Sequence, residues 1–151
     1  MLSVEKPKDL APYVGQKLGT SDWVLVDQAM IDTFAEVTGD QEWFHVDPER
    51  ARHEMPGGST IAHGFLTLSL VARMSSMIYQ IRSRQRGVNY GMNRLRFTAP
   101  VPAGSRIRLH ETLKAADPIE GGIRLTLDCV VEIENAPRPA LFAEMIVLAL
   151  E

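Results

Sequence analysis

Asp40 and His45 stand five residues apart in the non-periodic stretch Thr38-Gly39-Asp40-Gln41-Glu42-Trp43-Phe44-His45. A carboxylate and an imidazole that reach one water form an acid/base pair. Further along, Ile61-Ala62-His63-Gly64-Phe65-Leu66-Thr67-Leu68-Ser69 puts a His-Gly pair at the opening of an apolar helix. A glycine there offers an unblocked backbone N–H, at the positive end of the helix dipole, to a developing oxyanion. Together these parts suffice to add water across a polarised double bond. Each also has a plainer reading. Asp40, following a helix-ending glycine, can close an Asx-turn. His45 alone can be a hydrogen-bonded loop histidine, and His63, where a helix cap would stand, reads as structural.

The elements around these residues follow from periodicity. Asp22 to Val26 reads as a short strand, and Asp27 caps a helix through Val37 with Met30, Ile31, Phe34 and Val37 on one face. Gly39 ends that helix, and residues 40–46 read as loop. Asp47-Pro48-Glu49 opens a short helix that Pro56-Gly57-Gly58 stops. The next helix is expected from about Gly64 to Ser83, roughly 30 Å long at 1.5 Å per residue. It is apolar nearly all round in its first three turns, so something must wrap it. Strict alternation follows in three runs: Asn93 to Ala99, Ile107 to Leu113, and Ile123 to Glu134. Each reads as an antiparallel strand with one wet face. Leu141 to Leu150 is apolar on both faces, and therefore central in the sheet or covered by a partner. The economical arrangement is α+β, a single domain over residues 1–151 with 1–14 as a lead-in segment: an antiparallel sheet wrapped around a long central helix. The hot-dog fold has this shape.

Composition sets outer bounds. A chain of 151 residues, 45% apolar and 23% charged, fits one ordinary globular domain. A net charge of −3 and a pI near 5.8 give no basic face for nucleic acid. The apolar stretch Phe65 to Ile81 is broken by Arg73 and serines, so no membrane insertion is expected. The absence of an apolar leader near Met1 and the lone Cys129 suit a reducing, cytoplasmic setting. The four histidines lack paired ligand spacing, so no metal site is expected.

The run Phe34-Ala35-Glu36-Val37-Thr38-Gly39-Asp40 through His45, then Asp47-Pro48-Glu49-Arg50-Ala51, resembles the hydratase signature of MaoC-like dehydratases. So does Ile61 to Ser69. Val88-Asn89-Tyr90-Gly91-Met92-Asn93-Arg94-Leu95-Arg96-Phe97 looks like the branch named after nodulation protein N. The likeness covers about residues 15–150. The family pattern reads Gly-Asp-x-Asn-Pro-x-His; here Glu42 and Trp43 replace Asn and Pro while the Asp-to-His spacing is kept.

The resemblance implies an (R)-specific enoyl-CoA hydratase working as a homodimer on a small-molecule acyl-CoA substrate. Asp40 and His45 would hold the water, Gly64 N–H would stabilise the thioester oxyanion, and Ser69 would hydrogen-bond Asp40. No metal or prosthetic group is needed, because the thioester itself acidifies C2. Trp43 and Phe65 would border the acyl site, Trp43 reshaping its mouth. Arg82, Arg84 and Arg94 are candidates for the phosphates of coenzyme A; interaction with the helix C-terminus explains the first two equally well. Ser69 can instead bond back to its own helix. Two other functions are open on the same fold: a thioesterase, against which the absence of Asp or Glu from Phe65 to Ser83 argues, and a non-catalytic acyl-thioester-binding subunit.

Overall fold

A computed structural model describes all of residues 1–151. The order of elements is β1 (Leu2–Val4), a 3-10 helix (Pro7–Tyr13), β2 (Lys17–Thr20), β3 (Val24–Val26) and α1 (Gln28–Thr38). There follow α2 (Trp43–Val46), α3 (Pro48–Glu54), α4 (Gly64–Ser75), β4 (Tyr79–Ile81), β5 (Arg86–Phe97), β6 (Ser105–Ile119), β7 (Gly122–Ile133) and β8 (Leu141–Leu150). Six strands form one antiparallel sheet in the order β2-β6-β7-β8-β5, with β3 beside β2 on the free side of β6. Register shifts at Asn89/Gly91, Met92/Arg94 and Leu113/Ala115 add residues on one strand only. Such bulges bend and twist strands, which lets a sheet curl.

The concave face closes on α4. Leu66, Val71 and Met74 from the helix join Leu109, Leu113, Leu125, Leu127, Leu141 and Ala143 from the sheet in one buried cluster. This is the α+β hot-dog arrangement expected from the alternation. β8 lies between β7 and β5, the central position that its apolar composition suggested. The other face of the sheet carries ion pairs such as Arg108–Glu132 at 2.7 Å, with the Arg108 guanidinium 4.3 Å over the Trp23 ring. No helix is long and apolar enough to cross a membrane.

Four expectations are corrected. Helix α4 stops at Ser75, not Ser83, giving about 18 Å rather than 30 Å. Tyr79–Ile81 leaves the helical pattern to pair in parallel with Leu2–Val4. A periodic apolar pattern continues past Ser75, but pairing with a remote segment overrides it. That same pairing makes the lead-in part of the core: Leu10 is fully buried and Val4 and Pro7 nearly so. Residues 43–46, expected as loop, form a single helical turn, with Asp47 N–H donating to the Trp43 carbonyl at 2.9 Å. Helix α4 is also only half wrapped, since Phe65, Ser69, Ala72 and Arg73 face outward.

The caps read from sequence are present. The Asp27 side chain accepts from Met30 N–H at 2.9 Å and that of Asp47 from Arg50 N–H at 3.0 Å. Gly39 closes α1 in the left-handed region, φ 74°.

Candidate active site

Helix α1 and Gly39 deliver Asp40 to the start of a short loop, and the turn of α2 points His45 inward, where it is buried. The next anchor is the extended segment 60–62. Ala62 N–H donates to Val101 O at 2.8 Å, Ala103 N–H to Thr60 O at 2.9 Å and Ile61 N–H to Phe44 O at 3.0 Å. This segment hands the chain to His63 and Gly64, the cap position and first residue of α4.

A carboxylate oxygen of Asp40 and one ring nitrogen each of His45 and His63 lie within 4.8 Å of one another. Two hydrogen bonds of about 2.8 Å to a shared water span roughly 4.5 Å, so the spacing of Asp40 and His45 suits one water between them. The His45 tautomer follows from its partner. Nδ1 lies 2.7 Å from the Ile61 carbonyl, which can only accept, so Nδ1 carries the proton and Nε2 keeps its lone pair. Burial holds the His45 pKa below its ordinary value, aided by the nearby His63. The bond to Ile61 and the charges of Asp40 and Glu42 pull the other way without overcoming it. His45 is therefore neutral at pH 7, an acceptor facing an exposed carboxylate.

His45, Gly64 and Thr67 share a cleft of about 320 Å³ with Phe97, Val101 and Ala140. The Gly64 N–H makes no backbone hydrogen bond, as expected for a first helical residue. A side chain at this position would meet Phe97: an added Cβ would stand 3.1 Å from three atoms of that ring. The glycine keeps both the amide and the cleft open.

The other expected site residues are placed differently. Ser69 is exposed and its hydroxyl donates to the Phe65 carbonyl at 2.7 Å, so it bonds its own helix and not Asp40. Trp43 is half-buried beneath the Arg50 guanidinium, 4.1 Å from its ring centroid, and does not line the cleft. Phe65 is 66% exposed and touches the cleft only through an edge-on contact with Phe97, centroids 6.0 Å apart. Arg82 and Arg84 follow β4 instead of ending the helix. Arg82 donates to Ser3 Oγ at 3.0 Å, and Arg84 borders a separate cavity of about 490 Å³. Arg94 is exposed on β5.

Two residues at the site, and one buried group away from it, were not picked out from sequence. His63 is 2% exposed and stacks on His45, centroids 3.8 Å apart and planes 24° from parallel. Its side chain makes no cap bond. Rings this close to parallel set their in-plane lone pairs side by side, a poor geometry for both to ligate one ion. Gln28 of α1 donates to the His45 carbonyl at 2.7 Å and accepts from the buried Thr60 hydroxyl, bracing the turn that carries His45. A glutamine in an amphipathic helix gives no sequence signal for that role. Glu111 did give one: it shares the parity of Ile107, Leu109 and Leu113 and so faces inward on β6. It lies beyond the other end of α4, on Ser75 and not in the cleft.

Residues 9–131 match the MaoC like domain family. The chain is 44% identical over 148 residues to 3-hydroxyacyl-thioester dehydratase Z of Mycobacterium tuberculosis, covering 97% of each. It is 48% identical over 143 residues to nodulation protein N of Rhizobium leguminosarum bv. viciae, covering 93% of this chain and 88% of that one. Among solved structures, the (R)-hydratase from A. caviae involved in PHA biosynthesis superposes with a TM-score of 0.73 at 24% identity, covering 91% of this chain and 96% of the other. An unliganded R-hydratase from Pseudomonas aeruginosa gives 0.73 at 23% identity, covering 91% and 82%. The signature residues, the sheet wrapped on its helix and these likenesses agree: the chain belongs to the MaoC-like dehydratase family of hydro-lyases.

Proposed function

We propose that the protein is an (R)-specific enoyl-CoA hydratase, reversibly adding water to trans-2-enoyl thioesters to give (R)-3-hydroxyacyl thioesters. The observation that carries this reading is the placement of an Asp40 carboxylate oxygen within 4.8 Å of a ring nitrogen of neutral His45, a separation one water can bridge, with Gly64 lining the same cleft as His45. The names of the relatives, a 3-hydroxyacyl-thioester dehydratase and (R)-hydratases, supply the substrate class.

In the forward direction the water donates one hydrogen bond to His45 Nε2 and one to the Asp40 carboxylate. Its oxygen forms the new bond to C3 as Asp40 takes the proton. The C2–C3 π pair moves onto the thioester as an enolate, whose oxygen accepts from Gly64 N–H at the positive end of α4. Asp40 then returns a proton to C2, leaving all charges as they began. The chemistry needs no metal or prosthetic group, since the thioester stabilises the carbanion.

A homodimer fits the surface. β5 pairs only with β8, so its other edge is open over twelve residues. Val88, Tyr90, Met92 and Phe97 on it are each at least 41% exposed. A long apolar edge strand is unfavourable unless something covers it. Two-fold pairing of β5 with its own copy has to be antiparallel. That turns the Arg84–Arg86 end of one strand toward the Phe97 end of the other. The arginines of one protomer would then serve the cleft of its partner, where coenzyme A phosphates need cations.

The test is loss of conjugated enoyl-thioester absorbance on adding the protein to crotonyl-CoA and to longer enoyl chains. Asp40→Asn and His45→Gln are each expected to lower turnover about 10²–10⁴-fold, the usual worth of a general acid/base. Chiral analysis of the product tests the (R) assignment. An inert but folded wild type across chain lengths would sink the reading.

A further inference from the structure

Asp40 and His45 belong to different local structures, a loop residue after a helix cap and a residue in a single helical turn. Their separation has to be set by something that holds both. Segment 61–63 does so. The Ile61 carbonyl takes the His45 Nδ1–H at 2.7 Å, and two residues on, His63 Nε2–H donates to the Asp40 carbonyl at 3.0 Å. The segment is itself fixed, bridged to Pro102 and bonded through Ala62 to Val101. The Asp40 side chain makes no hydrogen bond. Besides His63, the residue is tied only by its N–H to Thr38 Oγ1 at 3.3 Å.

The chemistry of the buried ring points the same way. His63 Nδ1 is buried without a partner, which is unfavourable for a polar atom. Its neighbours are the His45 ring at 3.8 Å and the Phe34 ring at 5.0 Å. Packing alone would be served better by a phenyl ring. Capping would be served better by Ser, Thr, Asp or Asn, and the side chain does not cap.

We propose that His63 is a positioning residue: its Nε2–H tethers the Asp40 main chain and its ring backs His45, setting the gap that holds the water. This rests on the hydratase reading above.

Two substitutions separate its parts. His63→Phe keeps a ring against His45 and fills the volume but loses the tether. His63→Gln loses the ring but keeps an N–H that reaches the Asp40 carbonyl. With crotonyl-CoA, His63→Phe is expected to lower kcat about 10–100-fold, the cost of misplacing reacting groups by about 1 Å, with KM within about twofold. His63→Gln is expected to stay within about fivefold of wild-type kcat. The groups facing His45 are Asp40, Glu42 and His63, and His63 lowers its pKa. In His63→Phe the acid limb of kcat/KM therefore moves to higher pH. Loosened packing would hydrate His45 and move it the same way, so rescue of kcat by His63→Gln is the readout that a merely structural role would not give. Wild-type kcat in His63→Phe would overturn the assignment. So would equal loss of kcat in both variants with lowered melting temperatures, because His63 would then be only structural. Asp40→Asn and His45→Gln run in parallel keep the two ideas apart. An inert wild type refutes the hydratase reading itself, and full turnover in those variants refutes the Asp40–His45 dyad. Loss in those but not in His63→Phe refutes only the role of His63.

Discussion

Glu111 offers the sharpest quantitative test of the structure. It points from β6 into the core and is 1% exposed. The Ser75 hydroxyl, at 3.0 Å from both carboxylate oxygens, has one proton to share between them. The Cys129 thiol adds a weak contact at 3.8 Å. Burial pushes the carboxyl from its ordinary 4.5 up to about 7, against the smaller pull of the Ser75 and Cys129 bonds. At about 1.4 kcal/mol per pH unit, that rise penalises the anion in the folded state by about 3 kcal/mol. The sign follows from linkage. Between pH 4.5 and 7 the folded state holds a proton that the unfolded state has released. Stability from this group is thus intact below pH 4.5, falls as pH rises, and is lost above about 7.

Glu111→Gln keeps the shape and the acceptor for Ser75 but cannot ionise. The variant is expected to match wild type at pH 5 within about 1 kcal/mol and to exceed it by about 3 kcal/mol at pH 8.5. For a chain of this size that corresponds to about 6–12 °C in melting temperature. The assay is thermal or urea unfolding of both proteins from pH 5 to 8.5, at one protein concentration because association shifts apparent stability. His45, whose pKa is lowered, changes stability in the opposite direction as pH rises, but it is present in both proteins and cancels in the difference. A difference that stays flat with pH would refute the reasoning, as would a variant less stable at every pH.

Gly64→Ala is expected to fold, since Gly64 is not in the left-handed region and the Phe97 ring its Cβ would meet is 45% exposed and free to give. Its Cβ, 3.1 Å from the Phe97 ring, should nevertheless lower turnover, Gly64→Val should lower it further, and Phe97→Ala should restore part of it; full turnover in Gly64→Val counts against the oxyanion assignment. Val88→Lys with Tyr90→Lys places charges on the open edge of β5 and should shift sedimentation from dimer to monomer. A wild type already monomeric at micromolar concentration contradicts that edge as the interface. Ser69→Ala is expected to retain turnover within about threefold, because its hydroxyl bonds Phe65 O and main-chain back-bonding of this kind contributes little. A loss of more than about thirtyfold would return Ser69 to a role on Asp40.

Much of this architecture was legible in the chain because local chemistry specifies it. Asp27, Gly39 and the Asp47-Pro48 pair mark helix ends through bonds made within four residues, and each stands where expected. Period-2 alternation located β6 and β7 because each buries one face, and part of β5, while the continuous apolar run of β8 marked a strand inside the sheet. The misplaced element boundaries share one cause. Helix α4 ends early, and Val4, Pro7 and Leu10 of the lead-in are buried, because Tyr79–Ile81 pairs with Leu2–Val4, a contact between segments 77 residues apart. Strand β6 likewise runs on to Ile119, through a stretch that composition marks as a turn, because it pairs with β7 as far as Gly122.

The Asp40–His45 spacing and the His-Gly helix opening are properties of the sequence by itself. So is the inward parity of Glu111, since a strand's period of two leaves no alternative. Only the tertiary structure decided that His63 lies under His45 and holds the Asp40 main chain, and that Ser69 turns back on its own helix. It alone separated Arg82 and Arg84 from the cleft. The reason is physical. Residue type and spacing fix what a side chain can do and which face it occupies, whereas contact across 23 positions, as between Asp40 and His63, depends on how separately specified elements pack.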